Sequence, residues 1–361
     1  MDEVWRVVDT GLREAAQNIA LDRALLEARC AEEIPTTLRF YRCAPCVLIA
    51  SRASAAHEAD LEHCSAAGIA VQRRITGGET MYCDGAHLAF ALYLNRREAG
   101  TSDMQAVARR ICHAIAAALD ALGAPARYRP QHDIVVNSRR IGSGGGVFED
   151  TALLYQGVLH LTLDSTALLR ALRTPGVALG EQARAAADAR VTDLSTVLGR
   201  ATDPALVRDR VIAALESEFA VEFHEGDLSL SEQARYRHAL EEIDMPGWVE
   251  HVQRPAAELI ALTTQPPARG ALGVSVLYDS APQRIKDLWF VRGGSVIPAA
   301  IVNLEAVLRD TAVARLERNV QSFFSAHADV RAVTAAEVIS VLRRVLPQPL
   351  VIVSYPGEPR S

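Results

Sequence analysis

The sequence predicts an α+β fold with a mixed, largely antiparallel sheet flanked by helices, and three observations carry that reading. Strand-like and helix-like segments follow one another without the regular β–α–β alternation of a doubly wound sheet. The stretch DIVVNSRRIG (133–142) reads as two strands joined at a bend on Asn137-Ser138, the local mark of antiparallel pairing. Two segments, 103–123 and 204–220, instead carry apolar stripes at helical spacing: Val107, Ile111, Ile115, Leu119 and Leu122 in the first, Val207, Val211, Leu215 and Phe219 in the second.

The remaining elements follow in chain order. Residues 13–31 place Ala16, Ile19, Ala20, Ala24 and Ala28 on a helix. TLRFYR (37–42) and CVLIA (46–50) are strands, the second a continuous apolar run suited to a sheet covered on both faces. HEADLEHCSAAG forms a short helix closed by Gly68, IAVQRR a strand, TGGE a turn, and HLAFALYL (87–94) another strand. Helix 103–123 ends on Gly123, a suitable C-terminal cap. VFEDTALLYQGVLHLTLD (147–164) continues as β structure. A boundary falls around 248–259; beyond it ALGVSVLYD and RIKDLWFVRGG form a hairpin, followed by helices over roughly 302–325 and 334–345. The expected organisation is a domain over 1–250, a small α+β accessory domain over 255–346, and a tail over 347–361.

Composition narrows the function classes. Hydrophobic residues make up 49% and charged residues 23%, an ordinary globular balance. A net charge of −6 gives no polybasic surface for nucleic acid or an anionic membrane, and no run approaches the roughly 18 apolar residues of a membrane span. The N-terminus has no basic region leading into an apolar run, and six irregularly spaced cysteines fit reduced thiols, so a cytoplasmic location is expected. Lys286 is the only lysine among 38 basic residues, an arginine bias that spans the chain.

Two glycine clusters, each preceded by an Arg-Arg pair, stand out: RRITGG (73–78) and RRIGSGGG (139–146). Glycines let backbone amides approach a ligand, and arginine pairs with phosphate or carboxylate. The first cluster, taken alone, reads more simply as a plain hairpin turn with two solvated arginines. The second reads either as a mobile linker or as a flexible loop offering amides and the Ser143 hydroxyl to a phosphate.

WRVVDTG, the helix with NIALD, TLRFYR, and then DLEHCSAAGIAVQRRITGGETMYCDGAHLAF resemble the lipoate–protein ligase and octanoyltransferase family, in landmark order over most of residues 1–250. Residues 255–346 are similar, more loosely, to the accessory domain of the ligases. The resemblance implies the biotin/lipoate ligase catalytic fold. It implies ATP-dependent activation of lipoate or a related carboxylic acid as acyl-AMP, then transfer to the lysine of a lipoyl carrier domain. Carried over by position, Arg73, Arg74, Thr76, Gly77 and Gly78 would line the acyl-adenylate pocket, with Ser143 and Gly144 beside it, and Asp133 would help place Mg²⁺.

The chain also departs from the family pattern. The family lysine that polarises the acyl carbonyl aligns with Arg140. His132-Asp133 stands for Asn-Asp, Tyr82-Cys83-Asp84 for Tyr-His-Asp, Gln156-Gly157 for His-Gly, and Ser51 for a glycine. Arginine keeps the charge but not the point position of lysine. Two alternatives therefore stay open: an amide ligase with a small-molecule amine acceptor, and a non-catalytic protein that binds an acyl-adenylate or a lipoyl domain. Cys83, four residues before His87 and beside the glycine turn, is the one cysteine placed to act as a nucleophile; its other reading is a small buried hydrophobe. Cys43-Ala-Pro-Cys46 lacks a second pair to complete a zinc site.

Overall fold

A computed structural model describes residues 5–130, 132–175, 182–250, 259–264, 267–280, 283–295 and 297–347. The chain divides into two compact units, Met1–Ala256 and Ala257–Ser361.

The first unit runs β1 (Trp5–Arg13), α1 (Ala15–Cys30), β2 (Thr37–Cys43), β3 (Cys46–Ile49), the short helices α2 (Ala55–Glu58) and α3 (Leu61–Ala66), β4 (Ala70–Arg73), β5 (Met81–Cys83), β6 (His87–Asn95), α4 (Arg96–Ala99) and α5 (Met104–Ala121). It continues through β7 (Ala126–Arg129), β8 (Asp133–Val136), β9 (Arg139–Glu149), β10 (Ala152–His160), α6 (Ser165–Ala171), α7 (Ala183–Asp188), α8 (Leu194–Leu198), α9 (Pro204–Phe219), β11 (Phe223–Glu225), α10 (Leu230–Ile243) and α11 (Pro246–Glu250). Eight strands form one sheet in the order β11-β1-β2-β6-β10-β9-β8-β7; a second sheet has the order β4-β3-β5. The large sheet is antiparallel apart from β1, which pairs parallel to both β2 and β11.

Both faces of the large sheet are covered, and the sequence reflects it. Every residue of β6 and of β10 is buried, because α5 and α9 pack on one face and α1 and α10 on the other. Local signals fix the helices. Asp103 caps α5 by accepting from Gln105 N, Pro204 occupies the first turn of α9, and Ser229 with Glu232 forms a capping box on α10. Glu232 also pairs with Arg6 at 2.5 Å, which ties α10 to β1. The bend after β8 is a two-residue turn in which Asn137 and Ser138 both have positive φ (50° and 65°), as the expected strand–turn–strand requires.

Two expectations are corrected. Residues 142–146 are not a flexible loop but the middle of β9, hydrogen-bonded between β8 and β10. In the second unit, strands β12 (Leu259–Thr263), β13 (Leu272–Asp279), β14 (Arg284–Arg292) and β15 (Thr311–Ala312) form a sheet, with α12 (Ala299–Leu308), α13 (Leu316–Ala326) and α14 (Ala335–Val345). The expected helix over 302–325 is therefore broken. Asp310 has φ of 54°, and Thr311–Ala312 pairs with Arg284–Ile285 as β15. Among the described residues no helix is long and apolar enough to cross a membrane.

Candidate active site

Strand register sets out the site. On the α1 face of the large sheet, Tyr41, Ala89, Val158, Ser143 and Asp133 form one cross-strand row. Arg39, Ala91, Gln156 and Gly145 form the next. Opposed residues share a face, so Asp133, Ser143, Gln156 and the open side of Gly145 all look the same way.

The TGG turn sits on this face. A Cβ on Gly145 would stand 2.6 Å from the Gly77 carbonyl oxygen, and one on Gly78 would stand 3.3 Å from that of Gly144. The two glycine clusters meet backbone against backbone. Glycines 142, 144 and 146 point to the opposite face, where a Cβ would meet Val158 O, Tyr155 Oη and Met104 Sδ, each at 2.7 Å. Their glycine character serves close packing rather than anion binding; the Gly144 amide, for one, is donated to His132 O at 3.1 Å. Ser143 lies in the row with Asp133, half-buried.

Arg140 reaches the site through a β-bulge. Asp133 pairs with Ser143 and Ile134 with Gly142, but Val135 pairs with Arg140, so Ile141 is the extra residue. Without that slip Arg140 would face the α5 core; with it, Ile141 enters the core and Arg140 joins the face of Asp133. The Arg140 backbone is clamped, its N–H donating to Arg190 O (2.7 Å) and its carbonyl accepting from Thr192 N (2.8 Å). Its Nη1 lies 2.6 Å from Glu79 Oε2 and 3.6 Å from Asp133 Oδ1. Asp133 Oδ2 in turn accepts from Arg129 Nη2 at 2.6 Å.

The Arg-Arg pair divides into two roles. The Arg73 guanidinium is wrapped in carbonyls, donating to Ala50 O (3.1 Å), Ser51 O (3.2 Å), Ala53 O (2.6 Å) and Val249 O (2.6 Å). It fastens the turn to α11 and has a structural place. Arg74 is 1% exposed; its Nη2 braces the turn through Glu79 O (2.6 Å), while Nε and Nη1 are buried without a partner. Burial pushes its pKa down, against Cys83, Tyr41 and Asp22 nearby. Thr76 Oγ1, Gln156 Oε1 and Asp22 Oδ2 are likewise buried and unpartnered. Asp22 belongs to a buried network: Arg39 Nη1 at 2.8 Å, Tyr93 Oη at 2.6 Å, and Arg39 Nη2 to Asn18 Oδ1 at 2.5 Å. Its carboxyl is pushed up by burial and drawn down by Arg39.

A buried polar atom left unpaired costs about 1–3 kcal/mol. Arg74, Thr76, Gln156 and Asp22 carry five such atoms beside the turn, donors and acceptors both. Such atoms are suited to receive a polar group. A cavity of about 610 Å³, lined by Arg74, Ile75, Leu26, Ser51 and Trp248 among others, adjoins them.

The site is poor in reactive sulfur. Cys83 is 2% exposed, and burial holds its thiol well above the usual range, with Cys43 adding to the shift and Arg74 opposing it. Cys112 is pushed up to about 12 by burial. Cys43, Cys46 and Cys64 are buried as well, and Cys30 is half-buried.

The sequence reading had no place for Glu79 or Asp22. Asn18 and Asp22, polar at i and i+4 on the apolar side of α1, were the available signal for the second; a lone acid after a turn gives none for the first. His87 and His160, opposed at one end of the same face, stack edge to face at 5.1 Å.

The Asp133 carboxylate is a poor fit to Mg²⁺. It is 2% exposed and already lies between two guanidiniums. Among the described residues no group of three or more His, Cys, Asp or Glu is placed to hold a metal.

This fold is that of lipoate ligases. The structure superposes on a lipoate-protein ligase A bound with ATP at TM-score 0.61, with 22% identity over 70% of this chain and all of that one. It superposes on the Plasmodium falciparum LipL1 complex with lipoate at TM-score 0.54, with 13% identity over 89% of this chain and 94% of that one. The chain belongs to the lipoyl protein ligase A/B catalytic domain family, whose pattern matches residues 14–216. Among relatives, the octanoyltransferase LipM of Moorella thermoacetica is 25% identical over 268 residues, covering 69% of this chain and 98% of that protein. Lipoate-protein ligase A subunit 1 of Thermoplasma acidophilum is 24% identical over 210 residues, covering 55% and 78%.

Proposed function

We propose that the protein joins a lipoyl or octanoyl group to a lipoyl carrier domain, activating the acid with ATP as an acyl-adenylate. The observation that carries this reading is the set of unpartnered buried atoms on Arg74, Thr76, Gln156 and Asp22, placed beside a reachable cation, Arg140. Family membership supports acyl transfer to a carrier, and the ATP-bound neighbour supports the nucleotide.

In this reading Arg74 and Thr76, the donors among these buried atoms, hold the carboxylate of the acid, and the Gly77–Gly145 contact fixes the height of the turn that carries them. The carboxylate oxygen bonds to the α-phosphorus of ATP as pyrophosphate leaves. The neutral carrier lysine nitrogen then bonds to the acyl carbon, the acyl–oxygen bond to AMP breaks, and the proton lost by that nitrogen passes to solvent. Arg140, with its permanent charge, stabilises the charge that gathers on the phosphate and on the acyl oxygen in both steps. Asp133 anchors Arg140 and Arg129, and no step passes through a metal at this carboxylate. The raised, buried thiols favour direct transfer from the adenylate over a cysteine-bound intermediate.

The test is intact-mass analysis of an apo lipoyl domain incubated with this protein, Mg·ATP and lipoate or octanoate, with AMP release followed in parallel. An acyl mass on the domain that requires ATP is the expected result. AMP release without carrier modification would move the acceptor to a small amine. Acyl transfer from an octanoyl carrier without ATP would replace the adenylate step. Neither signal would leave a binding protein.

A further inference from the structure

Arg140 is held by an acid that the glycine turn itself delivers. The turn is fixed against β9 by the Gly77–Gly145 and Gly78–Gly144 contacts, so Glu79, the next residue, starts from a defined place beside the strand. The Arg140 backbone cannot follow a ligand, since Arg190 and Thr192 grip it at both N–H and carbonyl. Only its side chain is left to move. The two carboxylates on Nη1 differ in kind: Asp133 is 2% exposed and paired with Arg129, whereas the Glu79 side chain is 35% exposed and sits on a turn. Asp133 is the enclosed partner and Glu79 the one open to solvent.

We propose that Glu79 is a positioning residue, an internal carboxylate that occupies the anion place on Arg140 and is exchanged for the phosphate of the acyl-adenylate. The inference rests on the adenylate reading above. The carboxylate keeps the guanidinium extended across the glycine seam, ready for the ligand, at the expense of weaker binding. It also acts on specificity: a ligand lacking an anionic group beside the acyl carbon cannot displace Glu79 and leaves Arg140 engaged.

The experiment is calorimetric titration of 5′-AMP into the full chain, the Glu79→Gln and Glu79→Asp variants, Arg140→Gln, and the Glu79→Gln/Arg140→Gln double variant. Removing the competing charge is expected to tighten AMP binding by about five- to tenfold in Glu79→Gln. Glu79→Asp, which keeps the charge on a shorter stem, should fall between. The gain should vanish on the Arg140→Gln background, which a merely structural change at Glu79 would not produce. In turnover, Glu79→Gln should lower KM for ATP while kcat falls through slower release or looser aim. Equal AMP affinity in the parent and Glu79→Gln, or a gain that survives Arg140→Gln, would overturn the role of Glu79 and leave the adenylate reading in place. Binding by none of these chains, with their folds intact, would overturn both. Glu79→Asp provides a second comparison should Glu79→Gln fold poorly.

Discussion

Gly145 on strand β9 lies directly beneath the carbonyl of Gly77, so close that a methyl group on Gly145 would stand 2.6 Å from that oxygen. The contact joins two glycine runs far apart in the sequence and sets the height of the turn above the sheet. Gly145→Ala should lift the turn. Over-packing of this kind costs about 1–3 kcal/mol, and a shift of about 1 Å in a positioned group can cost 10²-fold in rate. We expect a modest fall in melting temperature and a much larger fall in acyl transfer. A variant as active as the parent would show that the turn's height is not critical.

Arg73 gives the opposite expectation from the arginine beside it. Its guanidinium holds the carbonyls of Ala50, Ser51, Ala53 and Val249, a fork that lysine cannot reproduce. Hydrogen bonds from a charged donor are worth about 1.5–3 kcal/mol each. Arg73→Lys should therefore lose about 2–4 kcal/mol in urea unfolding, allowing for partial replacement. Proteolysis near Val249 should quicken. Arg74→Lys should weaken ligand binding more than it weakens the fold, because two of the three Arg74 guanidinium nitrogens have no partner to lose.

His160 predicts how stability responds to acid. Burial depresses its pKa from 6.5 to about 3, with His87 and Arg140 adding to the shift, while Asp84 and the Thr192 carbonyl pull the other way. The unfolded chain therefore takes up a proton near pH 6.5 that the folded protein refuses. This contribution to stability is complete above pH 6.5 and is lost as pH falls from there towards 3, by up to about 1.4 kcal/mol per pH unit. Unfolding free energy measured from pH 7 to pH 5 should show this slope, and His160→Gln should flatten it. An unchanged slope would remove His160 from the acid response.

The thiols should prove inert. With Cys83 and Cys46 buried and their thiols held well up, brief alkylation of the native protein should spare both and reach Cys30 first, the half-buried one. Cys83→Ala should keep acyl transfer within about threefold. A loss of a hundredfold or more would restore Cys83 as a nucleophile.

The sequence alone determined the class of the fold, most of its elements and the family. Those features rest on local chemistry: apolar period, turn residues, caps, and a landmark order that persists along the chain. It also marked the two Arg-Arg–glycine segments as special, though it could not say that one lies on top of the other. Tertiary structure decided what each residue does there. Arg73 and Arg74 are adjacent and chemically identical, yet one is spent on carbonyls and the other keeps free donors, a difference made by a segment as distant as Val249. Arg140 faces the site because of one extra residue, Ile141, in β9. Pairing register is a property of two strands, and burial is a property of the whole unit, so neither could be read from residues taken one segment at a time.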